Sequence, residues 1–389
     1  ASLAAITGNI GIPGGWASGL ANQAGGGPFW TVFPSGPNPV KGSIPVYLWT
    51  EAVLRGKELG PEHGIRGVDK LDNNIKLIWS VASNILVNQH GNINRTLEIL
   101  KNPDLLEFII VQDNFMTPSA KFADLVLPAC TQFETWGVSD GWKYGEEVFL
   151  APKIVEPPFE TKSDYRICAD LSKKFGLYDQ YTEGGRDEKD WVAWFVDERY
   201  RKSRFPDMPV FRKFEAGNAG VYVKPVHNPK VALKDFAEDP VKNPLRTPSG
   251  KIEIFSIELF NAGKPGEIPP VAKYIQEWDS PFDEKAERYP LQAMGHHYGS
   301  RVHSTHDNNE WTMNALPQRV FINQADASAR GINDGDMVRI WNERGAMKLK
   351  CRITKRIMPG VIDIPQGAWY DPDEDGVDRG GNVNILTSE

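Results

Sequence analysis

Cysteine is scarce in this sequence, and the few cysteines lie far apart. Cys130, Cys168 and Cys351 are the only three among 389 residues. The Cys-x-x-Cys spacing of iron–sulfur and structural zinc sites is therefore absent. Isolated cysteines of this kind are predicted to be small, buried apolar side chains.

Two further absences each argue against a class of protein. No apolar run approaches the roughly 18 residues of a membrane-spanning helix, and the first residues do not form a basic and then apolar signal segment, so we expect no direct membrane insertion. The net charge is −7 and lysine and arginine form no block, so nucleic acid is not expected as a partner.

What is present is the composition of an ordinary globular protein. Hydrophobic residues make up 40% of the chain and charged residues 24%, which is typical of soluble domains. The length is sufficient for two to three domains, each with its own core. The 12 tryptophans and 18 phenylalanines fit large buried surfaces or an apolar partner face.

The first half of the chain carries the pattern of a parallel sheet. Residues 75–81 and 108–112 are mostly apolar runs of strand length, as expected for strands that are buried on both faces. Between them, Asn94 is predicted to cap a helix that begins near Arg95 and stops before Pro103. The three elements form a βαβ unit.

A third strand and three helices extend this domain. Residues 125–128 predict the next buried strand, and Thr117-Pro118-Ser119 predicts the start of a short helix before it. Earlier, residues 46–55 show the apolar spacing of a short helix. Residues 163–176 predict an amphipathic helix with a glycine stop.

Polar side chains follow the first two strands at their carboxyl ends, where ligands of such sheets gather. We expect these side chains to converge on one crevice: Asn84, Asn88, Gln112 and Asp113. In the alternative interpretation the asparagines form turns and Asp113 caps the segment that follows it.

The last hundred residues show another pattern, because short strands alternate with turns. Such spacing predicts a compact β-barrel, with strands at 320–322, 337–341, 347–354 and 361–364.

A polar run at residues 295–305 lies at the entrance of that predicted barrel, directly after a short apolar strand. It contains His296, His297, Arg301, His303 and two adjacent hydroxyl residues. A guanidinium fork, hydroxyl donors and imidazoles suit the phosphates of a dinucleotide or a pterin. A solvated loop without a ligand and a zinc site are the alternatives, but the histidines lack metal-ligand spacing.

Several motifs, taken together, resemble those of the molybdopterin oxidoreductases, and in particular the catalytic subunits of the membrane-associated anaerobic dimethyl sulfoxide reductases. The resemblance extends over essentially the whole chain in the order that the family shows. Its motifs are residues 84–90, 119–128, 247–253, 297–305 and 367–372.

The resemblance implies a bis-molybdopterin guanine dinucleotide cofactor with molybdenum. Positions that match those holding its guanine dinucleotide arms are Asn88, Gln112, Asp113, His297, His303, Ser304, Thr305 and Asn384, followed by Arg301, Asn84 and Asn342. The Asp113 carboxylate is suited to accept two hydrogen bonds from a guanine edge. The implied fold is α/β, a Rossmann-like parallel-sheet domain followed by a small double-psi-like β-barrel that binds the molybdopterin dinucleotide.

The implied reaction is the reduction of a sulfoxide or N-oxide substrate by oxygen-atom transfer, during anaerobic respiration. The implied partners are an iron–sulfur electron-transfer subunit and a membrane anchor subunit, at the extracytoplasmic (periplasmic) face of the cell membrane. Another molybdopterin or tungstopterin oxidoreductase, acting on polysulfide, thiosulfate, nitrate or formate, and a non-catalytic nucleotide-binding module are the alternatives.

The sequence starts at Ala1 in a glycine-rich stretch, which suggests the carboxy-terminal part of a longer enzyme. The resemblance places the metal ligand and a 4Fe-4S cluster in an amino-terminal part, so we expect this stretch alone to be inactive, with no catalytic residue of its own. The expected division is an α/β domain at 1–180, an irregular connecting segment at 181–285 and the barrel at 286–389.

Overall fold

The computed structural model describes residues 2–15, 34, 36–140, 147–203, 205–217, 220–223 and 231–388. They form two compact units. The first unit comprises residues 1–35, 130–158 and 163–277, and the second unit comprises residues 36–129, 159–162 and 278–389. The division at residues 180 and 285 stays a prediction for the protein's domains. The predicted glycine-rich loop at 25–28 lies outside the described residues.

The helices are short, and most contain fewer than nine residues. In chain order they are α1 (Ser2–Ile6), α2 (Trp49–Arg55), α3 (Ile93–Leu100), α4 (Asp164–Lys174), α5 (Tyr178–Thr182), α6 (Glu188–Trp194), α7 (Arg201–Ser203), α8 (Phe211–Ala216), α9 (Lys234–Glu238), α10 (Ile257–Asn261), α11 (Glu310–Ala315) and α12 (Gln324–Ala329).

The strands of the described residues belong to three separate sheets. They are β1 (Leu77–Val81), β2 (Phe108–Asp113), β3 (Leu125–Pro128), β4 (Gly137–Asp140), β5 (Glu147–Ala151), β6 (Val221–Val223), β7 (Gln292–Met294), β8 (Val320–Asn323), β9 (Met337–Trp341), β10 (Ala346–Thr354) and β11 (Val361–Asp363).

The first unit contains an antiparallel sheet in the order β4-β5-β6. Its core includes Val148 and Leu150 of β5 and aromatic residues of the helix that begins at α6 and continues as a π-helix over Phe195–Tyr200. Trp191 and Phe195 are buried there, so these aromatic side chains belong to the core. Helix α4 is confirmed, with Ser163 accepting a hydrogen bond from the Arg166 amide.

The second unit contains a parallel sheet in the order β1-β2-β3, in which Ser80 pairs with Val111 and Val111 with Val126. The prediction of strands buried on both faces is right only for the central strand. Val111 of β2 is fully buried, whereas Leu77 of β1 and Leu125 of β3 are 54% and 43% exposed. In the described residues β1 and β3 are edge strands, so each lacks a neighbour on one side.

The second unit also contains the predicted short strands of the chain's last hundred residues. They form a mixed sheet in the order β7-β11-β8-β10-β9, with parallel pairs β7–β11 and β8–β10. The other two pairs are antiparallel. The sheet curls into a half-barrel, which confirms the α/β class with a parallel sheet and a curved carboxy-terminal sheet.

Both sheets of the second unit contribute to one hydrophobic core. Ile109 and Val111 from the parallel sheet belong to the same buried cluster as Ile322, Met347 and Leu349 from the half-barrel. Apolar burial is the dominant stabilising contribution in such a cluster. The two sheets therefore stabilise each other.

Two local predictions are wrong in position. Helix α3 begins at Ile93 after Asn92, so Asn94 lies inside its first turn and donates from Nδ2 to the Arg344 carbonyl at 2.7 Å instead of capping. The predicted helix after Thr117 is a single 3-10 turn at Ala120–Phe122. It ends there because the Asp124 amide already bonds to the Ile109 carbonyl, which draws the chain into β3.

Between residues 231 and 291, which are described without a gap, the chain has no strand and forms only short helices. The described part of residues 181–230 contains α6, α7, α8 and strand β6, so the irregular connecting segment at 181–285 stays a prediction.

Replacing Leu349→Ala tests the shared core. Leu349 lies on β10 and is 4% exposed, so the cavity left by the substitution should lower the free energy of unfolding by about 2–5 kcal/mol. Leu316→Ala removes the same atoms at a site that is 43% exposed and is the matched control. Urea unfolding measures both, and equal losses for the two variants would contradict the shared core.

Candidate functional site

The loop after β1 holds Asn84 in a fixed orientation. Its Oδ1 accepts hydrogen bonds from the Ser119 amide at 3.1 Å and from the Ser119 hydroxyl at 2.8 Å. Its Nδ2 is buried and has no hydrogen-bond partner among the described residues. A buried amide donor without a partner is costly in a folded protein. Asn84 therefore presents a donor that a bound ligand could satisfy.

Asn88, four residues further on, joins three segments of the second unit. Its Nδ2 donates to the Ala368 carbonyl at 3.0 Å, and its Oδ1 accepts from the Tyr370 amide at 3.1 Å. Its own carbonyl accepts from Asn384 Nδ2 at 2.7 Å. The Asn88 side chain is thus engaged by the protein and positions the loops around it.

Gln112 and Asp113 end β2, as the sequence predicts. Gln112 is 1% exposed. Asp113 Oδ1 accepts from the amides of Asn114 at 2.8 Å and Phe115 at 3.3 Å, which is the capping contact considered from the sequence. One carboxylate oxygen thus caps the turn, and Oδ2 makes no hydrogen bond to the described residues.

The histidine loop, residues 295–307, follows β7 and lies against the segment 365–370. His297 forms a bridge to Gln366, and His303 Nδ1 lies 3.3 Å from Gln366 Nε2. The His297 and His303 rings meet edge to face with their centroids 5.0 Å apart. Both imidazoles are exposed at the end of the half-barrel.

Gly367 makes this close approach possible. Its φ is +95°, and a Cβ at this position would lie 1.9 Å from the His303 carbonyl oxygen. Any other residue would combine left-handed backbone strain with a steric clash. A glycine is therefore required where the two loops touch.

Ser304 and Thr305 belong to a tight turn over residues 302–305, which two hydrogen bonds of 3.0 and 2.9 Å between Val302 and Thr305 close. The Ser304 carbonyl accepts from Trp369 Nε1 at 2.7 Å. The two hydroxyls make no hydrogen bond to the described residues. They are thus free to donate to a ligand oxygen.

Arg301 is buried and directs its guanidinium into the protein. Nε donates to the Gln366 carbonyl at 3.1 Å, and Nη2 donates to the Pro365 carbonyl at 3.2 Å and to Gln318. Nη1 pairs with Asp307 at 2.7 Å, and Asp307 also accepts from the Trp369 amide at 2.6 Å. Arg301 thus ties the histidine loop to residues 365–369, and its contact with a phosphate stays a prediction.

Burial has the largest effect on the pKa values of the Arg301–Asp307 pair. It lowers the pKa of Arg301 and raises the pKa of Asp307, because the loss of water around each charge outweighs their mutual attraction. A pair of this kind adds little net stability. Removing only one partner is nevertheless costly, because it leaves a single charge buried.

Asn342 and Asn384 both hold the last residues of the chain in place. Asn342 Oδ1 accepts from the Arg344 amide at 2.9 Å, and its Nδ2 donates to the Leu386 carbonyl at 2.7 Å. Asn384 bonds to the Asn88 carbonyl through Nδ2, and its Oδ1 accepts from the Thr387 hydroxyl at 3.3 Å.

Asp378 is a structural residue of the site that the sequence reasoning missed. It is fully buried and accepts hydrogen bonds from the amides of Asp371, Gly380, Gly381 and Asn382, at 2.6–3.0 Å. Burial raises its pKa even though these four donors lower it. The signal in the sequence was an aspartate two residues before a Gly-Gly pair, a common turn pattern.

The predicted residues are thus brought together in part. The histidine loop and Asn88 contact residues 366–370, and Asn384 contacts Asn88. The Asn84 carbonyl accepts a hydrogen bond from the Asn88 amide at 3.1 Å. Within the residues that the structure describes, no hydrogen bond joins Asp113 or Asn342 directly to this group.

A metal bound by protein side chains alone is not supported in this region. Over the described ranges, no group of three or more histidine, cysteine, aspartate or glutamate side chains could hold a metal ion. Over the same ranges, no helix has the length and apolar character to cross a membrane.

Two family models match the chain. The model described as "Molybdopterin oxidoreductase" matches residues 1–174, and the model described as "Molydopterin dinucleotide binding domain" matches residues 291–389. The second match contains the half-barrel and the histidine loop.

Whole-chain relatives agree with these matches. Dimethyl sulfoxide reductase DmsA of Haemophilus influenzae is 41% identical over 399 residues, which covers 100% of this chain and 49% of that protein. DmsA of Escherichia coli is 42% identical, with 100% and 48% covered. The chain spans about half the length of the curated relatives it matches.

A solved structure agrees at the level of the fold. Acetylene hydratase from Pelobacter acetylenicus superposes with a TM-score of 0.64 and is 21% identical, and the match covers 87% of this chain and 42% of that one. At this identity the likeness concerns the fold alone.

The buried ion pair gives a test of how the histidine loop is held. Arg301→Met leaves Asp307 buried without its partner and should lower the free energy of unfolding by about 3–5 kcal/mol. The double variant Arg301→Met/Asp307→Leu removes both charges and should regain a large part of that loss. Urea unfolding of the two variants and of Asp307→Leu completes the cycle. If the double variant is as unstable as Arg301→Met, the explanation by an unpaired buried charge is wrong.

Proposed function

Because the chain belongs to the molybdopterin oxidoreductase family, we propose that the protein of which it forms part reduces dimethyl sulfoxide or a related S- or N-oxide. The observation that carries the proposal is the identity of about 40% over the entire chain with dimethyl sulfoxide reductases. Related trimethylamine-N-oxide reductases are 32–34% identical, again over nearly the whole chain.

The proposed cofactor is a bis-molybdopterin guanine dinucleotide with molybdenum, which supplies two-electron oxygen-atom transfer when bound. The donors of the site fit its phosphates. The hydroxyls of Ser304 and Thr305 make no hydrogen bond to the described residues, and two exposed imidazoles, His297 and His303, lie beside them. Together they offer hydrogen-bond donors to one polyanionic group.

Asn84 adds a further independent observation. Its buried Nδ2 has no hydrogen-bond partner among the described residues, and a pterin or nucleotide acceptor would satisfy it. Arg301 and Asn88, by contrast, bond to protein atoms. In our proposal they position the loops, and their own contact with the cofactor stays a prediction. Gln112, Asn342 and Asn384 are proposed to border the same cofactor.

The rest of the assignment depends on the relatives. We propose that the half-barrel belongs to a closed double-psi barrel. We also propose that an iron–sulfur subunit and a membrane anchor accompany the protein at the extracytoplasmic face of the membrane, and that a 4Fe-4S cluster lies in the part of the protein outside this stretch.

Metal and activity analysis of the protein at its full native length tests the function. We expect about one molybdenum and two guanine nucleotides per chain, and oxidation of reduced viologen by dimethyl sulfoxide or trimethylamine N-oxide. Residues 1–389 expressed alone should bind no stoichiometric metal and show no turnover. Turnover with nitrate, formate, thiosulfate or polysulfide instead would favour another member of the family. Bound nucleotide without metal would favour a non-catalytic module.

Asp113→Asn tests the guanine contact in the full-length protein. Because the Asn114 and Phe115 amides hold the Oδ1 side, the new side chain should keep its oxygen there and turn its NH2 towards the guanine donors. A buried donor without an acceptor costs about 1–3 kcal/mol, or roughly a ten- to hundredfold loss of affinity. We therefore expect lower guanine and molybdenum content at a nearly unchanged melting temperature.

The matched control is Asp124→Asn, which removes the same charge at the opposite end of the parallel sheet. Asp124 also accepts a backbone amide, that of Ile109 at 2.8 Å. This control should keep its cofactor. Normal cofactor content with a lowered melting temperature in Asp113→Asn would mean that Asp113 only caps the turn.

A further inference from the structure

The backbone of His303 is strained. Its φ is +52°, in the left-handed region. The two hydrogen bonds between Val302 and Thr305 make His303 the first central residue of a two-residue turn. A positive φ at that position favours glycine, because a Cβ crowds the backbone there. A histidine that is kept at such a position suggests a function for its side chain.

Gln366 lies beside His303, and its backbone is fixed on both sides. Its backbone N–H donates to the His296 carbonyl at 3.1 Å, and its carbonyl accepts from Arg301 Nε at 3.1 Å. The next residue, Gly367, lies so close to the His303 carbonyl that a Cβ would not fit between them. The Gln366 side chain therefore starts from a fixed point next to the His303 ring.

The contact between the two side chains determines which nitrogen of His303 carries the proton. Gln366 Nε2 donates to His303 Nδ1 at 3.3 Å. In a neutral imidazole Nδ1 is then the acceptor, and Nε2 carries the hydrogen. The His297 ring meets the His303 ring edge to face on another side. His303 Nε2 makes no hydrogen bond to the described residues, so its N–H is an oriented donor at the exposed end of the half-barrel.

From these contacts we propose that Gln366 is a positioning residue of the cofactor site. It holds the His303 ring in one orientation and one tautomer, so that the Nε2–H donates to a phosphate oxygen of the guanine dinucleotide. This inference rests on the proposed function, because the dinucleotide is the ligand. A donor that is already oriented binds more tightly, since its side chain loses little freedom on binding. The left-handed turn thus places the imidazole, and Gln366 fixes it.

A double-mutant cycle in the full-length protein tests whether Gln366 acts through His303. The measurement is the rate at which guanine nucleotide leaves the protein during dialysis. Gln366→Met keeps the length of the side chain but removes the donor, so the imidazole is free to rotate and release should be about two- to tenfold faster. His303→Gly should release nucleotide roughly ten- to a hundredfold faster. The double variant should release it at the rate of His303→Gly.

Gln324→Met is the matched control for the cycle. Strands β8 and β11 are antiparallel, so Gln324, which follows β8, and Gln366, which follows β11, lie at opposite ends of the sheet. This control should release nucleotide at the wild-type rate. Wild-type release by Gln366→Met or His303→Gly would overturn the proposal. So would a double variant in which the effect of Gln366→Met persists in full, because Gln366 would then act without the imidazole.

The stability of His303→Gly separates a ligand-binding role from a structural one. Glycine removes the strain at φ +52°, so the urea midpoint of protein dialysed free of nucleotide should not fall. A lowered midpoint would show that the imidazole supports the fold itself and would count against the proposal. If His303→Gly does not fold, His303→Ala, which keeps the strain and removes the ring, replaces it in the cycle.

Two amide substitutions test which nitrogen of His303 carries the donor. The side-chain NH2 of His303→Gln can reach the place of Nε2, whereas that of His303→Asn reaches only the place of Nδ1. His303→Gln should therefore release nucleotide at least about threefold more slowly than His303→Asn. Equal rates would contradict a donor at Nε2. A full-length protein without guanine nucleotide would instead reject the proposed function, and this inference with it.

Discussion

The candidate site depends on one buried cation, Arg301. Residues 365–370 are mostly outside regular strands, so their carbonyl groups need partners that a sheet does not supply. The Arg301 guanidinium donates to two of these carbonyls and to Asp307, which in turn accepts the amide of Trp369. Asp378 has the converse role a few residues later, because its buried carboxylate accepts hydrogen bonds from four backbone amides. Together these two charges give irregular loops a fixed shape.

Much of the fold follows from the local pattern of the sequence. Short strands separated by turn signals located β8 to β11, and an amphipathic pattern with a glycine stop located α4. Burial was harder to predict, because an apolar run such as residues 75–81 looks the same whether or not another strand covers it. The start of α3 was misplaced by two residues, because the helix begins after Asn92 although the Asn92 side chain makes no capping hydrogen bond that the residue type would signal.

The residues of the site were predicted less completely than the loops that carry them. Residue types pointed to Ser304, Thr305 and the two imidazoles. The two hydroxyls make no hydrogen bond to the described residues, and the two imidazoles are exposed. The same reasoning assigned Arg301 to a phosphate, and that contact stays a prediction. The sequence does not reveal that Gln318 and the carbonyls of residues 365 and 366 surround its guanidinium. Asp307 and Asp378 were overlooked for a similar reason. Their partners become neighbours only when distant segments fold together.

The shared core of the second unit also sets the order in which the chain can acquire its structure. Asn88 finds its partner Ala368 only 280 residues later, which at about 5–20 residues per second takes a ribosome roughly 15–55 s. During that interval the half-barrel against which Ile109 and Val111 pack has not yet been synthesised. These apolar side chains therefore lack part of the core that covers them in the folded protein. Contacts between such distant residues slow folding, because a long loop must close before they form. The second unit therefore completes its core only after the half-barrel has been synthesised.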